Sequence, residues 1–297
     1  NRKCFRMPSP EASPETCRDP KSSRSSRYAL RERSKVKAPF EVPEWAGKNK
    51  INTCIIDSFL ATLLCAKWRD PTFPSLVKGK SKFTEACREF LEAGDCDLED
   101  RKDEFIEKLF KPDKHGEFDL EGDEASVILD KAKEACTIAI SSKCETCGLE
   151  AESLNDYYYT GREERDLTEV LRKAITRLDR SHRCRDTKLC NIEVEKKMSL
   201  SISETTWMIP FDLSQMGLPP KKISSLPHAV EVAGGTFRLR GVSLFGAAHY
   251  TCILYDDTVW YYYDGIETPS IKVISGSKSL APYSYMQIKI AYYLRVY

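Results

Sequence analysis

Histidine is scarce in this chain, at four of 297 residues. Chemistry that needs an imidazole near neutral pH must therefore draw on His115, His182, His228 or His249. An excess of one charge sign is also missing, with 46 Lys and Arg against 45 Asp and Glu. Such a balance gives no overall pull toward nucleic acid or an anionic membrane surface. No run of roughly 18 apolar residues occurs, so no membrane-spanning helix is expected. The N-terminal stretch lacks the apolar segment of a secretory signal, and a cytoplasmic or nuclear location is expected from that.

What the chain does have is a length that can bury a sizeable core, an ordinary 41% of hydrophobic residues and twelve cysteines. Without a secretory signal, metal binding or catalysis is favoured over a disulfide framework. Most of the thiols are still expected to be small, inert, buried side chains.

Residues 1–40 are rich in Pro, Ser, Lys and Arg and read as a disordered basic tail. Residues 41–297 read as one domain that changes character midway. Helical periodicity runs through Cys54–Trp68, where Ile55, Ile56, Phe59, Leu60, Leu63 and Leu64 share a stripe. Thr53 or Asn52 is expected to cap that helix, and Asp57 lies in its acid-favouring first turn. Further helices are predicted at about 82–92, 101–110 and 123–139. The second half alternates instead, in aromatic and β-branched runs at Trp207–Phe211, Phe237–Leu244, His249–Tyr255, Val259–Tyr263 and Tyr285–Val296. A helical first half and a β-rich second half imply an α+β fold.

Cys54 opens its helix after the polar run Asn49-Lys50-Ile51-Asn52-Thr53. Unpaired N–H groups and the helix dipole favour an anion there, which suits a reactive thiolate. By position alone it is one thiol among twelve, so a base elsewhere must support the reading. His249 opens an apolar strand after Phe245-Gly246-Ala247-Ala248, small residues beside which a substrate backbone can pass. The next strand, Trp260-Tyr261-Tyr262-Tyr263, ends at Asp264-Gly265. Antiparallel pairing of the two strands brings Asp264 near His249, where a carboxylate selects the imidazole tautomer and supports its cation.

These segments resemble the ubiquitin-specific protease family, over roughly residues 45–297. Ala46-Gly47-Lys48-Asn49-Lys50-Ile51-Asn52-Thr53-Cys54 is similar to the family's cysteine box. Leu226-Pro227-His228-Ala229-Val230-Glu231-Val232, then Phe237-Arg238-Leu239-Arg240-Gly241-Val242, then His249-Tyr250-Thr251, follow the order around its histidine box. Trp260-Tyr261-x-Tyr263-Asp264 resembles the strand bearing the third triad member, and Ala291-Tyr292-x-Leu294-x-x-Tyr297 the terminal strand. The resemblance implies a papain-like fold with helical thumb, β palm and a β fingers insertion near 141–205. It implies cleavage after the C-terminal glycine of ubiquitin, with Cys54 as nucleophile, His249 as base, Asp264 as its orienting acid and Asn49 as oxyanion donor. Gly246, Ala248 and Tyr250 would line the path of the glycine tail.

The likeness has gaps. Glu121-Gly122-Asp123 stands where the family has Gln-Gln-Asp, and Ser126 where a second acid is expected. Asp123 and Glu124 are candidates to receive the arginines of a ubiquitin tail. The cysteine box is also similar to a SUMO-cleaving branch, so SUMO or another ubiquitin-like modifier is the alternative partner. A catalytically dead ubiquitin-binding module is a further alternative, disfavoured by the joint presence of Asn49, Cys54, His249 and Asp264. Separately, Cys144-x-x-Cys147 and the pair Cys184 and Cys190 can form a four-thiolate structural zinc site, although the second spacing is irregular. A zinc-dependent nucleic-acid binder fits less well, because the body of the chain is not basic.

Overall fold

The computed structural model describes residues 50–94, 97–144, 147, 150–155, 158–159, 197–267, 270–274, 280 and 282–297. Asn49, His182, Cys184, Cys190 and the basic tail at 1–40 lie outside them. Among the described residues the chain is helical first and then forms a mostly antiparallel sheet.

A short strand, β1 (Lys50–Ile51), leads into α1 (Cys54–Arg69). Helix α1 is buried continuously from Ile55 to Ala66, as expected where a helix is apolar on every side. It lies against the sheet and meets the next helix through Phe59, whose ring is 5.6 Å from those of both Phe83 and Tyr292. Burying one such phenyl group stabilises the fold by about 2–3 kcal/mol. Helix α2 (Lys82–Glu92) starts where the Ser81 hydroxyl accepts the Thr84 N–H, and α3 (Leu98–Leu109) follows. Strand β2 (Phe118–Asp119) pairs in parallel with β1.

The helix expected at 123–139 is broken into two short pieces. Residues Ala125–Leu129 form one wide turn in which the Asp130 N–H reaches the Ala125 carbonyl at 2.9 Å, and only Lys133–Cys136 (α4) is α-helical. Of the apolar face that periodicity gives, Ala125, Ile128, Leu129, Ala132 and Cys136, the last four are buried and Ala125 is half-buried. Periodicity could not show the wide turn, which is a local departure from regular hydrogen bonding. The chain turns extended at Ile138, where an α-helix ending at 139 was expected.

Three strands, β3 (Ile138–Lys143), β4 (Glu150–Asn155) and β6 (Lys197–Ile202), form a separate antiparallel sheet with β3 in the middle. The larger sheet contains β5 (Tyr158–Tyr159), β7 (Met208–Asp212), β8 (Ala229–Val232), β9 (Gly235–Gly246), β10 (His249–Tyr255), β11 (Trp260–Tyr263), β12 (Ile271–Ile274) and β13 (Gln287–Arg295). Its order is β12-β11-β10-β9-β13-β7-β5. Strand β9 spans twelve residues and is shared, with β8 along its first part and β10 along its second. The five expected strands are all present, with no end displaced by more than two residues.

Helix α1 lies close to this sheet because β9 carries Gly241 where the two meet. A Cβ there would sit 2.1 Å from Thr62 Oγ1, so no larger residue fits without moving the helix. On β13, one extra residue between Ile288 and Ala291 forms a bulge opposite Ser243. The Ser243 hydroxyl closes it by accepting the Ile290 N–H at 3.0 Å.

Candidate active site

The nucleophile candidate stands at the first position of α1. Asn52 is left-handed, with φ 57°, and its amide donates to Asp119 Oδ1 at 2.8 Å, tying the approach to Cys54 onto β2. Thr53 occupies the cap position, yet its side chain makes no cap hydrogen bond, contrary to the expectation for Thr53 or Asn52. Its hydroxyl donates instead to Asp57 Oδ2 at 2.8 Å. The first N–H groups of any helix lack intrahelical acceptors, so the start of α1 supplies donors beside the Cys54 thiol.

Strands β9 and β10 join through Ala247 and Ala248, with His249 paired to Gly246. Both alanines have positive φ, 52° and 58°, as a two-residue turn matching strand twist requires. Alanine is poorly suited to that conformation, and strain of this kind clusters at functional sites. Gly246 has a packing reason of its own: a Cβ there would lie 3.0 Å from Met286 Cα. Ala248 is exposed at the turn, while Tyr250 is buried with its ring 4.7 Å from that of Phe245.

Strand β10 pairs with β11 in the register Cys252↔Tyr263, which leaves Asp264, just past the end of β11, within reach of His249. His249 Nε2 and Asp264 Oδ1 are 2.8 Å apart. Asp264 also receives the Ile266 N–H at 3.1 Å and the Tyr262 hydroxyl at 3.3 Å. With Nε2 engaged by the acid, Nδ1 is left for the Cys54 thiol, which is the second hydrogen-bonding side chain of the ring. The bond to Asp264, then the bond to Cys54, raise the His249 pKa from 6.5 to about 9 against an opposing effect of burial. Burial alone would lift the Asp264 pKa, but His249, the Ile266 N–H and Tyr262 together hold it below the usual carboxylate range. The arrangement favours an imidazolium held between a sulfur and a carboxylate at neutral pH.

Two acids that the sequence singled out near the site have other partners than the sequence suggested. Asp57 is buried in the first turn of α1 and forms a 2.6 Å ion pair with Lys102 of α3. A signal for this existed, because Lys102 falls on the apolar stripe of Leu98, Phe105 and Ile106. Glu124 is also buried, accepting from Ser243 and, at 2.5 Å, from Tyr292. This corrects the expectation that Glu124 receives a basic substrate tail. Asp123, next to it, is exposed, and its Oδ1 accepts the Ser126 N–H at 3.0 Å.

Of the proposed zinc ligands, Cys144 is buried and Cys147 half-buried, on the connection between the paired strands β3 and β4. Among the described residues no group of three or more His, Cys, Asp or Glu could hold a metal ion. Cys184 and Cys190 lie outside those residues.

No family model matches the chain, and no curated protein does. Among solved structures, a chain from the structure of the SAGA Ubp8/Sgf11/Sus1/Sgf73 DUB module is similar, with a TM-score of 0.47 and 11% identity. That alignment covers 91% of this chain and 73% of the other.

Proposed function

We propose that the chain is a thiol peptidase of the ubiquitin-specific protease type, hydrolysing the bond after the C-terminal glycine of ubiquitin. The observation that carries the chemistry is His249 held between the Cys54 thiol and Asp264 Oδ1 at 2.8 Å. Cys54 Sγ attacks the glycine carbonyl, and the electron pair of that carbonyl moves to oxygen. N–H groups at the start of α1 stabilise the oxyanion, with Asn49 proposed as a further donor. Collapse expels the amine, which takes its proton from the His249 imidazolium, and leaves a thioester on Cys54. His249 then takes a proton from water, whose oxygen displaces the sulfur. Asp264 keeps the ring oriented through both halves.

The modifier is assigned by the resemblance of the sequence boxes. Asp123, Gly246, Ala248 and Tyr250 are proposed to line its tail. SUMO remains the second reading, favoured by the burial of Glu124, which leaves fewer carboxylates for the arginines of a ubiquitin tail. Cys144, Cys147, Cys184 and Cys190 are proposed to hold one structural zinc with no role in the reaction. Thiolates suit that metal, and a hairpin connection presents the first pair. Metal analysis of the purified protein is expected to return about one zinc per chain.

The test of the reaction is labelling with ubiquitin and SUMO probes that carry a C-terminal electrophile, with the adduct mapped by peptide mass spectrometry. A ubiquitin adduct on Cys54 is expected. An adduct only from SUMO reassigns the modifier, and binding of either without adduct makes the chain a recognition module.

A further inference from the structure

Beneath the Cys54 turn lies a polar triangle in an otherwise apolar interior. Lys102 Nζ is 2.6 Å from Asp57 Oδ1 and donates to Thr53 Oγ1 at 3.2 Å, while the Thr53 hydroxyl donates to Asp57 Oδ2 at 2.8 Å. The Lys102 side chain is 2% exposed and that of Asp57 9%. Thr53 is the residue immediately before the nucleophile, and its carbonyl accepts the Asp57 N–H at 2.9 Å. Its backbone and side chain are therefore both bound to Asp57. On the far side, Asp57 Oδ2 lies 3.7 Å from the Cβ position of Gly265, the residue after Asp264. One carboxylate thus binds the turn that presents the thiol and faces the turn that follows the acid.

A buried ion pair is a weak source of stability, since desolvation offsets most of its attraction. Two apolar side chains of similar shape would pack this space as well. A buried pair placed here, against the residue before the nucleophile, therefore points to a role in the site. We propose that Asp57 is a positioning residue for the reaction at Cys54: with Lys102 it fixes Thr53, and so the turn that presents the thiol to His249. The inference rests on the peptidase reading above.

The experiment is steady-state turnover of the cleavable modifier substrate for three proteins. Asp57→Asn keeps the shape of the side chain and removes the anion. Its kcat is expected to be lowered, with KM unchanged. The double variant Asp57→Leu with Lys102→Met replaces the pair by apolar groups, a change that buried pairs often tolerate. Its kcat is expected to fall about tenfold, because Thr53 loses both its acceptor and its donor, with KM again unchanged. Circular dichroism and thermal melting establish that each variant is folded; if Asp57→Asn fails to fold, the double variant decides. Wild-type kcat in the double variant overturns the inference, as does wild-type kcat in a folded Asp57→Asn. A wild-type protein that neither turns over substrate nor labels at Cys54 defeats the peptidase reading instead, so the two failures are distinguishable.

Discussion

The Tyr292 hydroxyl donates a 2.5 Å hydrogen bond to Glu124 Oε1, joining two buried residues 168 positions apart in the chain. The other oxygen of Glu124 accepts from Ser243, whose hydroxyl also closes the bulge in β13. Tyr250, next to His249, is held on the backbone of Glu124. Glu124 thereby connects the start of the wide turn Ala125–Leu129 with strands β9 and β13 through its carboxyl group, and with the neighbourhood of the base through its backbone.

Burial raises the Glu124 pKa from 4.5 to about 7, with Asp212 adding to the rise and Ser243, Tyr292 and Lys289 opposing it. Between those two pH values the folded protein binds a proton that the unfolded chain has released. Stability from this group is therefore full at acidic pH and is lost as pH rises through about 7. The loss is on the order of 3 kcal/mol. Glu124→Gln should abolish that slope and be more stable than wild type at pH above about 8. Chemical denaturation at a series of pH values measures it, and parallel curves for the two proteins would contradict it.

At His249 the direction of the pH effect is opposite to that of a buried, unpaired imidazole. Asp264 is the largest cause of the rise to about 9, so activity that needs the imidazolium should persist up to about that pH. Asp264→Asn should bring the alkaline limb down toward 6.5 and lower kcat by about 10³ to 10⁴. Cys54→Ala should abolish turnover and keep modifier binding. Comparing kcat–pH profiles with equilibrium binding checks both, and full activity in Cys54→Ala refutes the nucleophile.

The β9–β10 turn holds two alanines at positive φ. Ala248 is exposed, so its methyl group contributes little packing, and Ala248→Gly should stabilise the fold by about 1 kcal/mol. Thermal melting reads the gain. A lowered melting temperature would show that the turn is not strained.

Asp123 is exposed beside the buried Glu124, and under the ubiquitin reading it meets a basic tail. Asp123→Ala should weaken ubiquitin cleavage severalfold through KM and leave SUMO cleavage nearly unchanged. Equal loss on both substrates would assign Asp123 solely to the start of the turn at Ala125, where its carboxylate already accepts the Ser126 N–H.

From the sequence alone, the helix beginning at Cys54, the strand beginning at His249 and the acid after the next strand could be read off. Each is marked by local periodicity or a local turn, and the antiparallel pairing of neighbouring strands needs only a short connection. Tertiary structure decided the rest. The wide turn Ala125–Leu129, near the start of the expected helix at 123–139, begins directly after Glu124, whose partners Ser243 and Tyr292 are more than a hundred residues away. The role of Asp57 depends on Lys102 from another helix, so a residue legible as a favourable first-turn acid is in fact half of a buried pair. Periodicity reports which face of an element is buried. It does not report which distant polar group meets another there, because desolvation and pairing of charges are set by three-dimensional packing and not by spacing along the chain.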